Sequence, residues 1–259
     1  MIEAIASGGL VGFTLGLVGG GGSILATPLL LYAVGVRDPH TAIGTGALAV
    51  SVNAYLNLAA HAAKGHVRWR CGAVFAAVGV VGTLAGSSLG KVIDGHALLF
   101  LFGLVMILVG ILMARPRSIE RVEASPDRRI CMRTALLALA TGGASGFFGI
   151  GGGFLIVPAL IAGTGMPMIN AVGTSLLSVG TFGLATALNY AASGLVDWVV
   201  AAEFVLGGSL GGAAGMLLAT RLSGYRRVLS LILSGLIIVV AIYVLFRSGQ
   251  DLLGAARPT

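Results

Sequence analysis

A chain of 259 residues that is 57% hydrophobic and 10% charged does not have the make-up of a soluble domain, where about a quarter of the residues are charged. Its net charge of +7 does not indicate a nucleic-acid partner: six of the sixteen Lys and Arg lie between Arg115 and Arg133, and others flank apolar runs. That pattern reports orientation in a lipid bilayer.

The first apolar run, residues 5–36, is interrupted by Gly19-Gly20-Gly21-Gly22-Ser23 and carries Pro28. Each glycine disfavours a continuous helix by roughly 1 kcal/mol relative to alanine. The run is therefore read as a break whose backbone polar groups face something other than lipid. Glu3, with no basic n-region around it, argues against a cleaved signal peptide. Three further apolar segments follow at 41–63, 71–90 and 97–114, each near the roughly 20 residues that cross a bilayer. After the basic stretch, a second broken segment at 135–163 contains Gly149-Ile150-Gly151-Gly152-Gly153 and Pro158. Segments 168–192, 198–220 and 228–246 complete the series. The expected fold is an all-α polytopic membrane protein. Its organisation is a first transmembrane repeat at 1–114, a basic cytoplasmic linker at 115–133, a second repeat at 134–248 and a short tail at 249–259.

The two halves are copies. At an offset of 130, Gly16 to Pro28 aligns with Gly146 to Pro158; at 129, Ala42-Ile43-Gly44-Thr45 meets Ala171-Val172-Gly173-Thr174, and Gly65, Trp69, Gly82 and Gly86 meet Gly194, Trp198, Gly211 and Gly215. Equivalent loops differ in charge. Loop 64–70 has Lys64, Arg68 and Arg70 where 193–199 has only Asp197; loop 91–96 has Lys91 where 220–227 has Arg221, Arg226 and Arg227. The positive-inside rule then sets equivalent loops on opposite sides, as in an inverted repeat. Loops 64–70, 115–133 and 220–227 are expected in the cytoplasm. Inversion needs an odd number of crossings per half, so each glycine-broken segment is expected to be a re-entrant hairpin followed by three transmembrane helices. The alternative is eight plain spans in parallel repeats.

Helices restarting at Ser23 and at Gly152 or Gly153 would offer free N–H groups and positive dipole ends to an anion near the midplane. The candidate substrate-binding residues are Gly20, Gly21, Gly22, Ser23, Thr45, Asn53, Asn57, Gly151, Gly152, Gly153, Thr174, Ser175 and Asn189. Thr hydroxyls can donate to oxyanions, although bonding back to their own helix is as good a reading. The Asn side chains could line a pathway or join helices. Glu203 is a candidate for proton coupling. Gly82, Gly86 and Gly90, with Gly207, Gly211 and Gly215, are read as packing faces. Cys71 and Cys131 lie beside basic loops and are read as unpaired thiols. No phosphate loop, metal cluster or nucleophile–base pair is present, so neither an enzyme nor a cofactor or metal site is expected.

The run Gly-Leu-Val-Gly-Gly-Gly-Gly-Ser-Ile-Leu-Ala-Thr-Pro-Leu-Leu at 16–30, Ala-Ile-Gly-Thr at 42–45 and Gly-His-Val-Arg-Trp at 65–69, each echoed in the second half, resembles the sulfite exporter TauE/SafE family. The resemblance implies a multi-pass permease of the bacterial inner membrane that moves sulfite, sulfoacetate or a related sulfur-containing organic anion. The second copy departs from the first at Ile150 and Gly153. A secondary transporter is the expected function, with a non-transporting membrane scaffold as the alternative. A proton or sodium ion for coupling and a second copy of the chain are further partners to consider.

Overall fold

The computed structural model describes residues 2–18, 20–114, 128–149, 153–221 and 226–255. Those residues are helical throughout, with no strand among them. Helix α1 (Ile2–Val18) is followed by a 3-10 turn (Gly20–Leu25), α2 (Ala26–Tyr32), α3 (Pro39–Ala63), α4 (Trp69–Val92) and α5 (Gly95–Ala114). The second half repeats this with α6 (Arg128–Phe148), α7 (Gly153–Thr164), α8 (Met168–Ala191), α9 (Trp198–Arg221) and α10 (Arg226–Ala255). Helix α10 passes the expected boundary at 248 and carries most of the tail. Among the described residues, four stretches are long and apolar enough to cross a membrane: Pro39–Ala63, Trp69–Val92, Ile169–Ala191 and Trp198–Leu218.

Side-chain bonds order the ends of the helices. The Arg68 N–H donates to Thr174 Oγ1 at 3.0 Å, and Lys91 Nζ donates to Asn189 Oδ1 at 2.8 Å. Helices α4 and α8 therefore run parallel, start beside start. The Asp197 N–H donates to Thr45 Oγ1 at 2.9 Å, which sets the start of α9 against the start of α3. Since Arg68 follows the end of α3, the equivalent helices α3 and α8 run antiparallel. They cross at their centres, where Ser51 Oγ donates to the Gly180 carbonyl at 2.7 Å. Ser51 and Gly180 are themselves equivalent at the 129-residue offset.

The first helix of each half packs against the fourth helix of the other. Gly8, Gly12 and Gly16 of α1 meet Phe204, Gly208 and Gly212 of α9. Gly142 and Gly146 of α6 meet Gly79 and Thr83 of α4, while Gly82 and Gly86 meet Leu139 and Gly143. A Cβ at Gly12 or Gly142 would run into the facing backbone. Glycine here removes the side chain that would hold the helices apart, which is how membrane helices gain contact. Helices α5 and α10 pair antiparallel, with Ser234 Oγ donating to the Gly110 carbonyl at 2.5 Å.

Both broken segments fold back. Gly22 packs on Thr14 and Leu15 of α1, and Ala26 and Leu30 lie beside Gly46. In the second half, Thr134 Oγ1 near the start of α6 donates to the carbonyl of Gly163 at the end of α7, at 3.1 Å. Pro158 lies inside α7.

Replacing Gly12 by Leu is expected to overpack the α1–α9 contact and cost at least about 1–3 kcal/mol. Thermal unfolding in detergent reads this as a lowered midpoint. Gly235→Ala, where nothing lies within 4 Å, is the control and should lose nothing.

Candidate functional site

The expected anion residues fall into two groups. Gly20, Gly21, Gly22 and Ser23 form the 3-10 turn, and Ser23 is fully buried. The α-helix restarts at Ala26 rather than Ser23, with Leu25 as a helical N-cap residue that makes no side-chain capping bond. The correction has a local cause: three glycines and a serine tighten into i→i+3 bonding that runs on to Leu25, and α geometry returns at Ala26. In the second half α7 does begin at Gly153, which is buried; Gly151 and Gly152 lie outside the described residues.

Thr45 and Thr174 are fully buried. Neither hydroxyl bonds back to its own helix in the bonds observed. Each instead accepts the backbone N–H of the residue that precedes α9 or α4, and this leaves the hydroxyl hydrogen available to a ligand. Ser175 behaves differently, donating to the Val172 carbonyl of its own helix at 2.8 Å.

Asn53 and Asn57 lie on α3 one turn apart. Asn57 Nδ2 donates to the Asn53 carbonyl at 2.8 Å, and its side chain faces Gly212 of α9. Asn53 is 0% exposed, rests against Gly208, and neither Nδ2 nor Oδ1 has a hydrogen-bond partner. Buried polar groups are paired in the great majority of cases, so this amide stands out. Ser145, Ser178 and Thr186 carry further buried hydroxyls with no partner.

Asn189 belongs to a different cluster. Its Nδ2 donates to Ser87 Oγ at 2.6 Å and Ser88 Oγ at 3.1 Å, while its oxygen takes the Lys91 ammonium. Lys91 also donates to Ser193 Oγ at 3.0 Å. The side chain thus ties the end of α4 to the end of α8, away from Asn53. Sequence reasoning missed this because Lys91 and Asn189 belong to different repeats and are not equivalent positions. Glu203 is half-buried, five residues into α9; its counterpart Val74 is exposed.

The helix starts near Asn189 are closed by acids. Asp38 accepts the Thr41 N–H at 2.8 Å and the Thr41 hydroxyl at 2.7 Å. Asp197 accepts the N–H groups of Val199 and Val200. An apolar groove of about 460 Å³ lies between α4 and α6, lined by Val81, Ala85, Leu89, Leu139 and Phe147 among others. Its leucines and valine are exposed, and it has no group suited to an anion.

A glycine-packed helical bundle with charge at its ends and one unpaired amide and several unpaired hydroxyls buried within it is the build of a multi-pass membrane transporter. The profile of the sulfite exporter TauE/SafE family matches residues 4–244, and the chain belongs to that family. It is 60% identical over 254 residues to a "probable membrane transporter protein" of Xylella fastidiosa strain 9a5c, covering 97% of each chain. It is 27% identical to the "probable membrane transporter protein YunE" of Bacillus subtilis, over 80% of this chain and 84% of that one. A protein of the same description from Methanocaldococcus jannaschii is 30% identical over 64% of this chain and 65% of its own. No solved structure matches significantly.

Burial raises the Asp38 carboxyl, but the two bonds from Thr41 and the nearby His40 outweigh it and hold the group below its usual value. A lowered carboxylate stabilises the fold fully above its unfolded pKa and loses that contribution as pH falls through the lowered value. Asp38→Ala is therefore expected to cost about 1 kcal/mol at neutral pH. The difference in unfolding midpoint between it and the parent should close under strongly acidic conditions.

Proposed function

We propose that the protein is a secondary transporter of a small anion, sulfite or an organosulfonate such as sulfoacetate, working by alternating access between its two halves across the inner membrane. The observation that carries the reading is the buried, unpaired Asn53 amide at the level where α1 and α9 pack through glycine. A transporter needs binding groups in the bundle that are not already consumed by the fold, and a neutral amide with helix-end dipoles can hold an anion without a buried cation.

In this reading α1–α2 and α6–α7 are re-entrant hairpins that enter from opposite faces, and the halves are inverted repeats. The antiparallel crossing of α3 and α8 at Ser51 and Gly180 fits that relation. So does the charge pattern. The helix ends that flank 64–68, 115–127 and 222–225 lie at one end of the bundle and the Asp197 loop at the other, so the basic end is assigned to the cytoplasm. The Gly149 turn packs on Ile43, close to the start of α3, whereas Gly22 packs back on Thr14 and Leu15. The turns at Gly149 and at Gly20–Ser23 are the two hairpin tips of this reading. The anion site is assigned to the space they flank, with Asn53, Asn57 and the Gly20–Ser23 turn on one side. Thr45 and Thr174 support it from the helix starts. Glu203 is the acid available for proton coupling.

The scaffold alternative drew on the glycine faces of α4 and α9. Those faces are occupied by α6 and α1 of the same chain, so they do not offer a docking surface for a partner.

Labelled sulfite should enter proteoliposomes that contain the purified protein. Gly22→Leu, which drives a side chain into Thr14 and Leu15, should reduce uptake at least about tenfold, an effect of roughly 1.4 kcal/mol on the transport barrier. Flux in Gly22→Leu equal to the parent would remove the hairpin from the mechanism.

A further inference from the structure

We infer that the binding site is single and lies off the pseudo-twofold axis, at Asn53, and that it selects a singly charged oxyanion which also carries a hydrogen-bond donor over a dianion. The inference rests on the transport reading above and narrows its substrate class.

The two halves provide an internal comparison. The 129-residue offset places Asn53 on Phe182, Phe204 on Phe75 and Gly208 on Gly79. In the second half this frame is a plain apolar contact. Phe182 stacks on Phe75, with centroids 6.3 Å apart and planes at 27°, and its ring tip lies against Gly79. In the first half the same frame holds an amide, also fully buried, against Gly208. An apolar residue therefore satisfies the packing here, and the fold has no need of Asn53. Leaving both ends of an amide unpaired costs about 1–3 kcal/mol by mutational measures. Asn57 does not relieve that cost, because its own Nδ2 is bonded to the Asn53 backbone carbonyl. The site is thus present in one half and filled by a ring in the other.

The chemistry of the ligand follows from what the amide offers. It presents a donor group and an acceptor oxygen. Among the described residues no Lys, Arg, Asp or Glu is buried, so a bound anion is held by dipoles alone. The cost of removing an ion from water grows with the square of its charge, and even a single charge is expensive without a counter-ion. A dianion is the poorer guest on that ground. The acceptor oxygen of Asn53 adds a second requirement, since it repels a fully deprotonated oxyanion surface and accepts from an O–H or N–H. The class is a protonated inorganic oxyanion or a sulfonate bearing a hydroxyl; sulfoacetate, a dianion without a donor at neutral pH, falls outside it, which is where the inference narrows the transport reading.

The test uses the full-length protein in detergent and three probes whose charges are fixed at neutral pH: 2-hydroxyethanesulfonate, ethanesulfonate and sulfate. The hydroxylated monoanion should raise the unfolding midpoint at concentrations about tenfold below its plain counterpart, the gap expected of one hydrogen bond. Sulfate should give no shift. Asn53→Leu should fold with an unliganded midpoint at or above the parent's and erase the gap between the two sulfonates. Should Asn53→Leu fail to fold, Asn53→Asp, which keeps the shape but repels anions, should abolish all shifts. Sulfate acting as strongly as the monoanions, a gap that survives Asn53→Leu, anion shifts that survive Asn53→Asp, or no shift with any probe overturns the inference. Sulfite uptake without the gap overturns it alone and spares the transport reading; the gap without uptake does the reverse.

Discussion

The structure depends on two seams where backbone meets backbone. In hydrocarbon, apolar side chains gain nothing by leaving lipid for a neighbouring helix, so close contact has to supply the association. Gly8, Gly12 and Gly16 against Phe204, Gly208 and Gly212, and Gly142 and Gly146 against Gly79 and Thr83, provide it. Each seam joins the first helix of one half to a long helix of the other. Neither half keeps its first helix to itself, so the two copies interlock. The threonine bonds repeat the arrangement, with Thr45 taking the Asp197 N–H and Thr174 the Arg68 N–H. The equivalent helices α3 and α8 meet where Ser51 donates to the Gly180 carbonyl, so the halves also touch at equivalent positions.

The distribution of polarity follows from the same constraint. Charged groups stay at the ends, where they work on helix termini: Asp94 accepts the N–H groups of His96 and Ala97, as Asp38 and Asp197 do for their own helices. Lys91 spends its ammonium on Asn189 and Ser193. The centre keeps only neutral groups, and most of them are bonded to backbone. Ser51, Thr83 and Thr141 all donate to carbonyls. Against that background hydroxyls such as those of Ser145, Ser178 and Thr186 stay unpaired, and Asn53 is, among the described residues, the one with an entire amide unused.

Much of this was written in the chain because duplication leaves a register. Repeated Gly, Thr and Trp positions define the halves, and unequal loop charge suggests how they face. The breaks at Gly19–Gly22 and Gly149–Gly153 follow from helix propensity alone. Other features depend on which half touches which, and a linear alignment does not carry that. The threonines read evenly as anion ligands or as hydroxyls bonded back to their own helix, since spacing says nothing about the N–H groups brought to them from the opposite repeat. Asn189 reads equally as a pathway residue or as a link between helices; it sits at a helix end where Lys91 and two serines enclose it. The 3-10 turn at Gly20–Leu25 is a local compromise that propensity places but does not shape. The contrast of Asn53 with Phe182 is visible in the register itself; its meaning emerges only when both are found in the same frame of Phe and Gly.

The central claim is that equivalent positions of the two halves face opposite sides of the membrane. Lys64 and Ser193 are equivalent at the 129-residue offset and both are exposed. In a background with Cys71 and Cys131 changed to serine, single Lys64→Cys and Ser193→Cys variants can be treated in intact cells with a thiol reagent that does not cross the membrane. The account predicts labelling of Ser193→Cys in intact cells and of Lys64→Cys only after the membrane is opened. Labelling of both variants from the same side would contradict it.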